Sequence, residues 1–441
     1  MNEFAGKRIA VIGLGRSGIS AARFLSERGA DLVLFDRSCA IARNLLPSGE
    51  VHLGREDPAL LDGVELVITS PGAPPDNPLL RAACMRGLTV IGELELASRF
   101  FSRPIIAITG TNGKSTVTML VGQILQAAGK RVFVGGNLGT PLIEAVNNSY
   151  DLAVAEVSSF QLERIDRFHP HAGVYLNLSE DHLDRYRDLD DYGLAKAQLF
   201  RNQESEDWAI LNRDDPRVWG LADKLRARVV SFGLSPFTDA PAIGVDGGAI
   251  VFELGNRRGK ISLAGLRLAG RHNLLNVMAA AGAGLVMDAE PAEISSTLQT
   301  FTGLRHRFEL VRRRGGVDFI DDSKATNVGA VAEALAAVNR GVILIAGGVD
   351  KGGDYGPLRA AVCQKVKLLI LLGAARWKIR EALSGAVETI VVMTLDEAVA
   401  IAAARARSGD TVMLSPACSS FDQFKDYAER GDLFKELVRA L

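Results

Sequence analysis

The chain has 441 residues, 47% of them apolar and 23% charged, and a formal net charge of −1 at pH 7. At roughly 150 residues per domain this length predicts about three domains, each able to bury its own core, and the composition excludes a disordered chain. Near-neutral charge provides no field for nucleic acid or an anionic membrane surface, so neither partner is expected.

The four cysteines, Cys39, Cys84, Cys363 and Cys418, are far apart and form no CxxC pair. With no signal-peptide pattern in the opening MNEFAGKRIAVIG, they predict reduced thiols and a cytoplasmic protein. The longest apolar runs, such as LLILLG at 368–373, are too short to span a bilayer and read as buried strands.

In chain order, RIAVIG, GRSGISAARFLSERG, DLVLF, ELVITS and LTVIG alternate strand and helix signals, predicting βαβ units around a parallel sheet over residues 1–92. A second cycle, 93–303, holds RPIIAITG, a helix from Ser115 to about Gly129, RVFVGG, DLAVAEVSS and AGVYLNLS. Between about 226 and 268 short β-like runs are broken by Gly, Pro and Asp, which predicts a small antiparallel addition; helices follow over about 273–287 and 292–301. FTGLRHRFE reads as a hinge. The third cycle, 304–441, carries VDFIDDS, GVILIAGG, KLLILLG, TIVVM and DTVMLSPA, a second doubly wound unit. The predicted fold class is therefore α/β with three domains: a Rossmann-like domain at each end and a P-loop ATPase-type domain between them.

The most specific motif is the strand IIAIT followed by Gly110, Thr111, Asn112, Gly113, Lys114, Ser115 and Thr116 and an apolar-periodic helix. Glycines allow backbone N–H groups to turn inward, and a helix N-terminus adds about half a positive charge, so the segment suits phosphate. Lys114 is placed to reach β/γ-phosphates, and Ser115 or Thr116 to offer a hydroxyl to Mg²⁺. Ile108 stands where a standard P-loop has its first glycine, so this is a shortened variant. A triphosphate beside a carboxylate needs a cation. Glu156, ending DLAVAE, is a candidate metal ligand because ligands gather at strand C-terminal ends. His182 in LNLSEDHLDRY alone reads as a structural histidine, and beside Glu156 and the loop as a second ligand. Lys196 alone reads as a surface lysine.

Gly13-Leu14-Gly15-Arg16-Ser17-Gly18 follows the first strand, and Asp36 ends the next, 21 residues after Gly15. This is a dinucleotide fingerprint, NAD or, given Arg37, NADP; the same turn also cradles the pyrophosphate of a nucleotide sugar, which the downstream ATP loop favours. The third cycle brings Asp321–Asn327, Asp350–Gly353 and Ser415–Phe424 to strand C-terminal ends, a set of lysines, hydroxyls and N–H groups suited to a small dicarboxylate. Cys418 reads as a packing residue, with no histidine near it in sequence.

TGTNGKST, GNLGTPL, EVSSFQLE, SEDHLDRY, FTGLRHRFE, DDSKATN and SPACSSFDQFKDYAERG together resemble the Mur ligases, which build the peptide stem of bacterial peptidoglycan, and within them the D-glutamate-adding branch. The DNPR-type motif expected of the diaminopimelate and lysine branches is absent. The resemblance implies an ATP-dependent ligase, monomeric, that adds D-glutamate to UDP-N-acetylmuramoyl-L-alanine (UDP-MurNAc-L-Ala) through an acyl phosphate. It implies two Mg²⁺ held by Ser115, Glu156, His182 and Lys196, the last as a carbamate. Lys114, Glu156, His182 and Lys196 would be catalytic; the 110–116 loop, Asn273, Arg307 and Asp322 would bind ATP. Gly15, Asp36, Arg37 and Ser70, with Asn137, Ser158 and Gln161, would bind the UDP-sugar substrate. Thr326, Lys351, Ser420 and Phe421, with Tyr427, would hold D-glutamate. A folylpolyglutamate-type ligase would share the ATP loop but lacks a separate UDP-binding domain, and an NAD-dependent dehydrogenase would leave that loop idle.

Overall fold

The computed structural model describes residues 3–441 apart from 236, 238, 269 and 340. Twenty strands form three sheets. The first contains β1 (Arg8–Ile12), β2 (Asp31–Asp36), β3 (Glu50–Leu53), β4 (Leu66–Thr69) and β5 (Thr89–Gly92), all parallel, in the order β3-β2-β1-β4-β5. The chain runs one way from β1 and returns to its other side at β4, so a crevice opens where β1 and β4 end.

The second sheet contains β6 (Ile105–Thr109), β7 (Val132–Gly136), β8 (Leu152–Glu156), β9 (Ala172–Tyr175), β10 (Trp208–Asn212), β11 (Arg228–Phe232), β12 (Ala242–Asp246), β13 (Ala249–Leu254) and β14 (Arg257–Ser262). Its order is β14-β13-β12-β11-β10-β9-β6-β8-β7. The antiparallel addition expected near 226–268 is a continuation of this sheet: β11 and β12 are parallel additions, and only β13 and β14 turn back. Residues 236 and 238 of that stretch lie outside the described set. The third sheet contains β15 (Glu309–Arg314), β16 (Val317–Asp321), β17 (Val342–Gly347), β18 (Val366–Leu372), β19 (Thr389–Val391) and β20 (Thr411–Leu414). Its order is β15-β16-β20-β17-β18-β19, with β15 antiparallel at the edge.

Central strands such as VILIAG of β17 are buried at every position, because helices cover both faces of a parallel sheet. β13 alternates buried and half-buried residues, and the charged β14 closes the sheet. The helix Lys114–Ala127 buries Val117, Leu120, Val121, Ile124 and Leu125, an i, i+3, i+4, i+7, i+8 stripe, against the central sheet and the helix Arg271–Val286. Each such side chain contributes about 1.5–3 kcal/mol by leaving water. A Cβ on Gly284 of the second helix would fall 2.8 Å from Ile124 Cγ2, so a glycine there permits the close approach. One apolar cluster joins Ile9 and Phe24 of the first unit to Ala107 and Phe133 of the second. Glu95, fully buried on the connecting helix Glu93–Phe100, accepts the N–H groups of Asp166, Arg167 and Phe168 at 2.8–3.0 Å. Among the described residues no helix is long and apolar enough to cross a membrane.

Candidate active site

The strand β6 delivers the chain into the turn Gly110–Gly113. Gly110 has φ 148° and Gly113 has φ 86°. Side chains there would collide: a Cβ on Gly113 would lie 2.2 Å from Asn276 Oδ1. The turn is held from outside by the segment leaving β9. Thr111 N–H donates to the Asn177 carbonyl (3.0 Å) and Asn112 N–H to Asn177 Oδ1 (2.9 Å), while Asn177 Nδ2 donates to the Asn112 carbonyl (3.1 Å). Ser179 N–H donates to Thr111 Oγ1 at 3.0 Å. Ser115 and Thr116 are buried in the first helical turn.

Two lysines, half-buried Lys114 and buried Lys196, converge on this loop. Lys114 Nζ donates to the carbonyls of Gly110 and Thr111 (both 2.8 Å), and Lys196 Nζ to the Gly110 carbonyl (2.9 Å). Burial pushes both amines below their ordinary range, Lys196 far below, with Lys114 beside it as a second cause. Lys196 is therefore no surface lysine; it is 1% exposed.

Glu156 ends β8 and is 4% exposed. Its Oε1 accepts from Asn137 Nδ2 at 2.7 Å, and its Oε2 is buried with no hydrogen-bond partner among the described residues. Burial pushes the carboxyl up, but Lys114, Ser115 and Asn137 outweigh it and hold Glu156 below the usual carboxylate range, as an anion. An unpartnered buried carboxylate oxygen close to Ser115 fits Mg²⁺, an oxygen-seeking ion. His182, in the left-handed region (φ 57°), packs edge-on against Phe160 and Tyr192. Burial pushes its ring down to about 4, so it is the neutral form that can ligate a metal.

The third sheet docks on this loop. Arg307 Nη2 donates to Ser115 Oγ at 2.8 Å, and Asn327 and Asn112 exchange side-chain amide hydrogen bonds at 3.0 and 3.4 Å. Lys351 Nζ lies 3.2 Å from Asp181 Oδ1, beside His182, and 3.5 Å from Thr326 Oγ1. Between the central and C-terminal sheets is a cavity of about 710 Å³, lined by Asn112, Thr116, Asn273, Arg307, Asp322 and Lys324 among others. Burial pushes the Asp322 carboxyl up to about 7. Burial, with Arg307 nearby, pushes the Lys324 amine down to about 7; that amine lies 3.7 Å from the centre of the Tyr427 ring.

In the N-terminal crevice Gly15, Asp36 and Ser70 come together. A Cβ on Gly13 would sit 2.8 Å from Ser70 Cβ, and Asp36 Oδ2 accepts Leu14 N–H at 2.6 Å, bracing the glycine turn. Arg16 Nη1 donates to the Gly139 carbonyl (2.7 Å), tying this crevice to the loop that carries Asn137. Arg37 turns instead to Glu56 on the surface. Ser158 and Gln161 cap the helix Ser159–Leu162 with each other's polar groups. The loops after β16, β17 and β20 are stitched together: Ala417 N–H donates to the Ala325 carbonyl, Gly347 N–H to Pro416, and Val349 pairs with Ser419. Ser420 is buried in the last loop, whereas Phe421 is 72% exposed. Buried Cys418 bonds Tyr355 Oη at 3.1 Å, and burial pushes its thiol up to about 11, as fits a packing residue.

Sequence reading alone passes over Asn177, Asn276 and Asp181, and takes in Lys324 and Asn327 only as members of the Asp321–Asn327 segment. Asp181 and Lys324 sit inside the motifs SEDHLDRY and DDSKATN, where polarity beside a strand end is the available signal. Nothing local marks Asn177, whose partner Asn112 is 65 residues away, or Asn276, which lies against Gly113, 163 residues away.

Residues 7–92 match the Mur ligase MurD-like N-terminal domain, 108–284 the Mur ligase middle domain, and 306–418 the Mur ligase glutamate ligase domain. The chain is 45% identical over its full length to the UDP-N-acetylmuramoylalanine–D-glutamate ligase of Geotalea daltonii, covering 98% of that protein, and 44% identical to that of Geobacter metallireducens with the same coverage. Among solved structures, a pseudomurein peptide ligase type C from Methanothermus fervidus superimposes over 99% of this chain and 100% of its own, with TM-score 0.64 and 19% identity. UDP-N-acetylmuramate-alanine ligase from Thermotoga maritima does so over 98% and 99%, with TM-score 0.62 and 20% identity, a likeness of fold. The chain belongs to the Mur ligase family.

Proposed function

We propose that this chain is the ATP-dependent ligase that adds D-glutamate to UDP-MurNAc-L-Ala in peptidoglycan precursor synthesis. The observation that carries the reading is Glu156, a buried anionic carboxylate with one unpartnered oxygen, set beside Lys114 at a phosphate-binding turn. The functional units are residues 1–92 for the UDP-sugar, 93–303 for ATP and 304–441 for D-glutamate.

Ser115, Glu156, neutral His182 and Lys196 (as a carbamate) would hold two Mg²⁺, which when bound offset the charge of phosphates beside a carboxylate. That repulsion is about 4 kcal/mol for each unit-charge pair at 4 Å and an effective dielectric near 20. Lys114 trades the carbonyls of Gly110 and Thr111 for the β/γ-phosphates, and the loop N–H groups hold them in line. A carboxylate oxygen of the alanyl group attacks the γ-phosphorus as the bond to the ADP oxygen breaks, giving an acyl phosphate. The amine of D-glutamate, once deprotonated, adds to the acyl carbon; the tetrahedral adduct collapses, expels phosphate and leaves the amide. Thr326, Lys351 and Ser420, with Phe421 and Tyr427 at the rim, hold D-glutamate. Asn273 holds the adenine of ATP, Arg307 and Asp322 reach the nucleotide from the hinge and the C-terminal unit, and Gly15, Asp36, Arg37, Ser70, Asn137, Ser158 and Gln161 hold the UDP-sugar substrate.

Burial supports the Lys196 carbamate that the family resemblance implies. An amine held neutral can attack CO₂, forming an N–C bond and losing a proton, and the product is a carboxylate facing the metal. Crystals grown with bicarbonate are expected to show the added group on Lys196; a bare amine facing bound metal would refute it. Four free cysteines fit a reducing cytoplasm, and sedimentation should find a monomer. The decisive assay is phosphate release with UDP-MurNAc-L-Ala and, in turn, D-Glu, L-Glu, D-Asp and meso-diaminopimelate. Release is expected with D-Glu alone; release independent of either substrate rejects the assignment.

A further inference from the structure

Arg307 lies in the segment that connects the central and C-terminal sheets, yet the residues on both sides of it are fastened to the C-terminal sheet. His306 Nδ1 donates to Asp321 Oδ2 at 2.7 Å, and Phe308 N–H donates to Asp322 Oδ1 at 3.1 Å. Asp321 and Asp322 are consecutive residues at the end of β16, so two adjacent carboxylates grip the two neighbours of one arginine. The His306 carbonyl also accepts Lys324 N–H (3.0 Å), and its own N–H donates to Glu309 Oε2 (2.9 Å). Both neighbours take left-handed backbone, His306 with φ 62° and Phe308 with φ 50°, a strained choice that persists only when surroundings impose it.

The pair is buried, His306 at 4% and Asp321 at 0% exposure. Space for it depends on Gly431 in the helix Tyr427–Ala440: a Cβ there would fall 2.2 Å from His306 Nδ1 and 2.9 Å from Asp321 Oδ2. His306, Glu309 and Asp321 are close enough together to suggest a metal site. Their groups are already satisfied, however: Lys435 Nζ lies 3.2 Å from Glu309, and Asp321 Oδ1 accepts Ser323 N–H at 3.0 Å. The cluster is a clasp.

We propose that His306, through its hydrogen bond to Asp321, is a positioning residue that makes Arg307 part of the C-terminal body and aims it at Ser115 of the phosphate loop. Upstream of the clasp, Thr302 is exposed and Gly303 has φ 89°, so the chain pivots at 302–304 and Arg307 travels with the C-terminal sheet. Arg307 thus reports domain closure to the phosphates. This inference rests on the nucleotide-binding reading above.

The test is a double-mutant cycle of His306→Ala with Arg307→Ala, read by ADP affinity and by kcat/KM for ATP, with Tm followed in parallel. Alone, His306→Ala is expected to weaken both by about tenfold, and in the Arg307→Ala background by less than about twofold. His306→Asn, which tolerates left-handed backbone and keeps a donor at the same reach, should stay within about twofold of wild type. Multiplicative losses, or a His306→Ala loss that tracks Tm and persists without Arg307, would overturn the proposal. Should His306→Ala not fold, Gly431→Ala serves in its place, because its methyl group pushes the pair apart. Wild-type phosphate release that ignores D-glutamate would count against the ligase reading and leave the ADP cycle intact as the test of the clasp.

Discussion

Glu93 begins the helix that joins the first sheet to the second. It is 2% exposed; Oε1 accepts Ile143 N–H at 2.7 Å, and Oε2 is buried without a partner among the described residues. Burial, with Glu144 adding repulsion, pushes its carboxyl up to about 7 from an ordinary 4.5. A raised folded-state pKa means the fold prefers the protonated acid. Stability from this group is therefore complete below about pH 4.5 and lost as pH rises through about 7. The loss amounts to about 3 kcal/mol, at 1.36 kcal/mol for each tenfold change in proton affinity. Glu93→Gln removes the ionisation and puts an unbonded amide in place of Oε2, which costs about 1–3 kcal/mol at every pH. The informative quantity is thus the slope. Urea unfolding of both proteins at pH 5, 6, 7 and 8 should show the variant gaining on wild type by about 2.5 kcal/mol across that range. Parallel pH dependences would refute the reasoning.

Lys114→Ala should lower turnover by about 100-fold or more with Tm unchanged within a few degrees; near-wild-type phosphate release would remove the lysine from the reaction. Asn177→Ala deletes both side-chain bonds to Asn112 and is expected to raise KM for ATP about tenfold, with less effect on KM for D-glutamate. Lys324, pushed down to about 7, binds an anion best when protonated. ADP affinity should therefore fall as pH rises from 6.5 to 8.5, up to about tenfold, and this fall should be smaller in Lys324→Arg, where only the ionisation of Asp322 remains; calorimetry showing the same pH dependence in both would refute it.

The alternation of buried apolar runs with amphipathic helices made the three α/β units readable in the chain, because both faces of a parallel strand must be covered and every residue of it carries that demand. The edge strands β5, β7 and β19 were read from LTVIG, RVFVGG and TIVVM, but the edge strands β3 and β15 escaped. β3 reads EVHL and β15 reads ELVRRR, each with one side open to solvent, so neither carries an apolar run. β10, WAILN, was missed for a different reason: it stands alone between helical stretches, without a motif after it.

Within the site, Gly110–Thr116 could be read directly, since left-handed backbone at Gly113 and N–H groups at a helix start are local requirements met by local residues. The unpartnered oxygen of Glu156, the two lysines on one carbonyl and the Asn177 brace were decided by packing between distant segments, and the His306–Asp321 clasp by packing within the C-terminal unit. So was the solvent-facing ring of Phe421. Backbone conformation and burial period are short-range properties, so neighbouring residues encode them. Which distant polar groups meet, and which are left facing an empty place for a ligand, depends on contacts across more than 60 residues of chain, which only the folded molecule brings about.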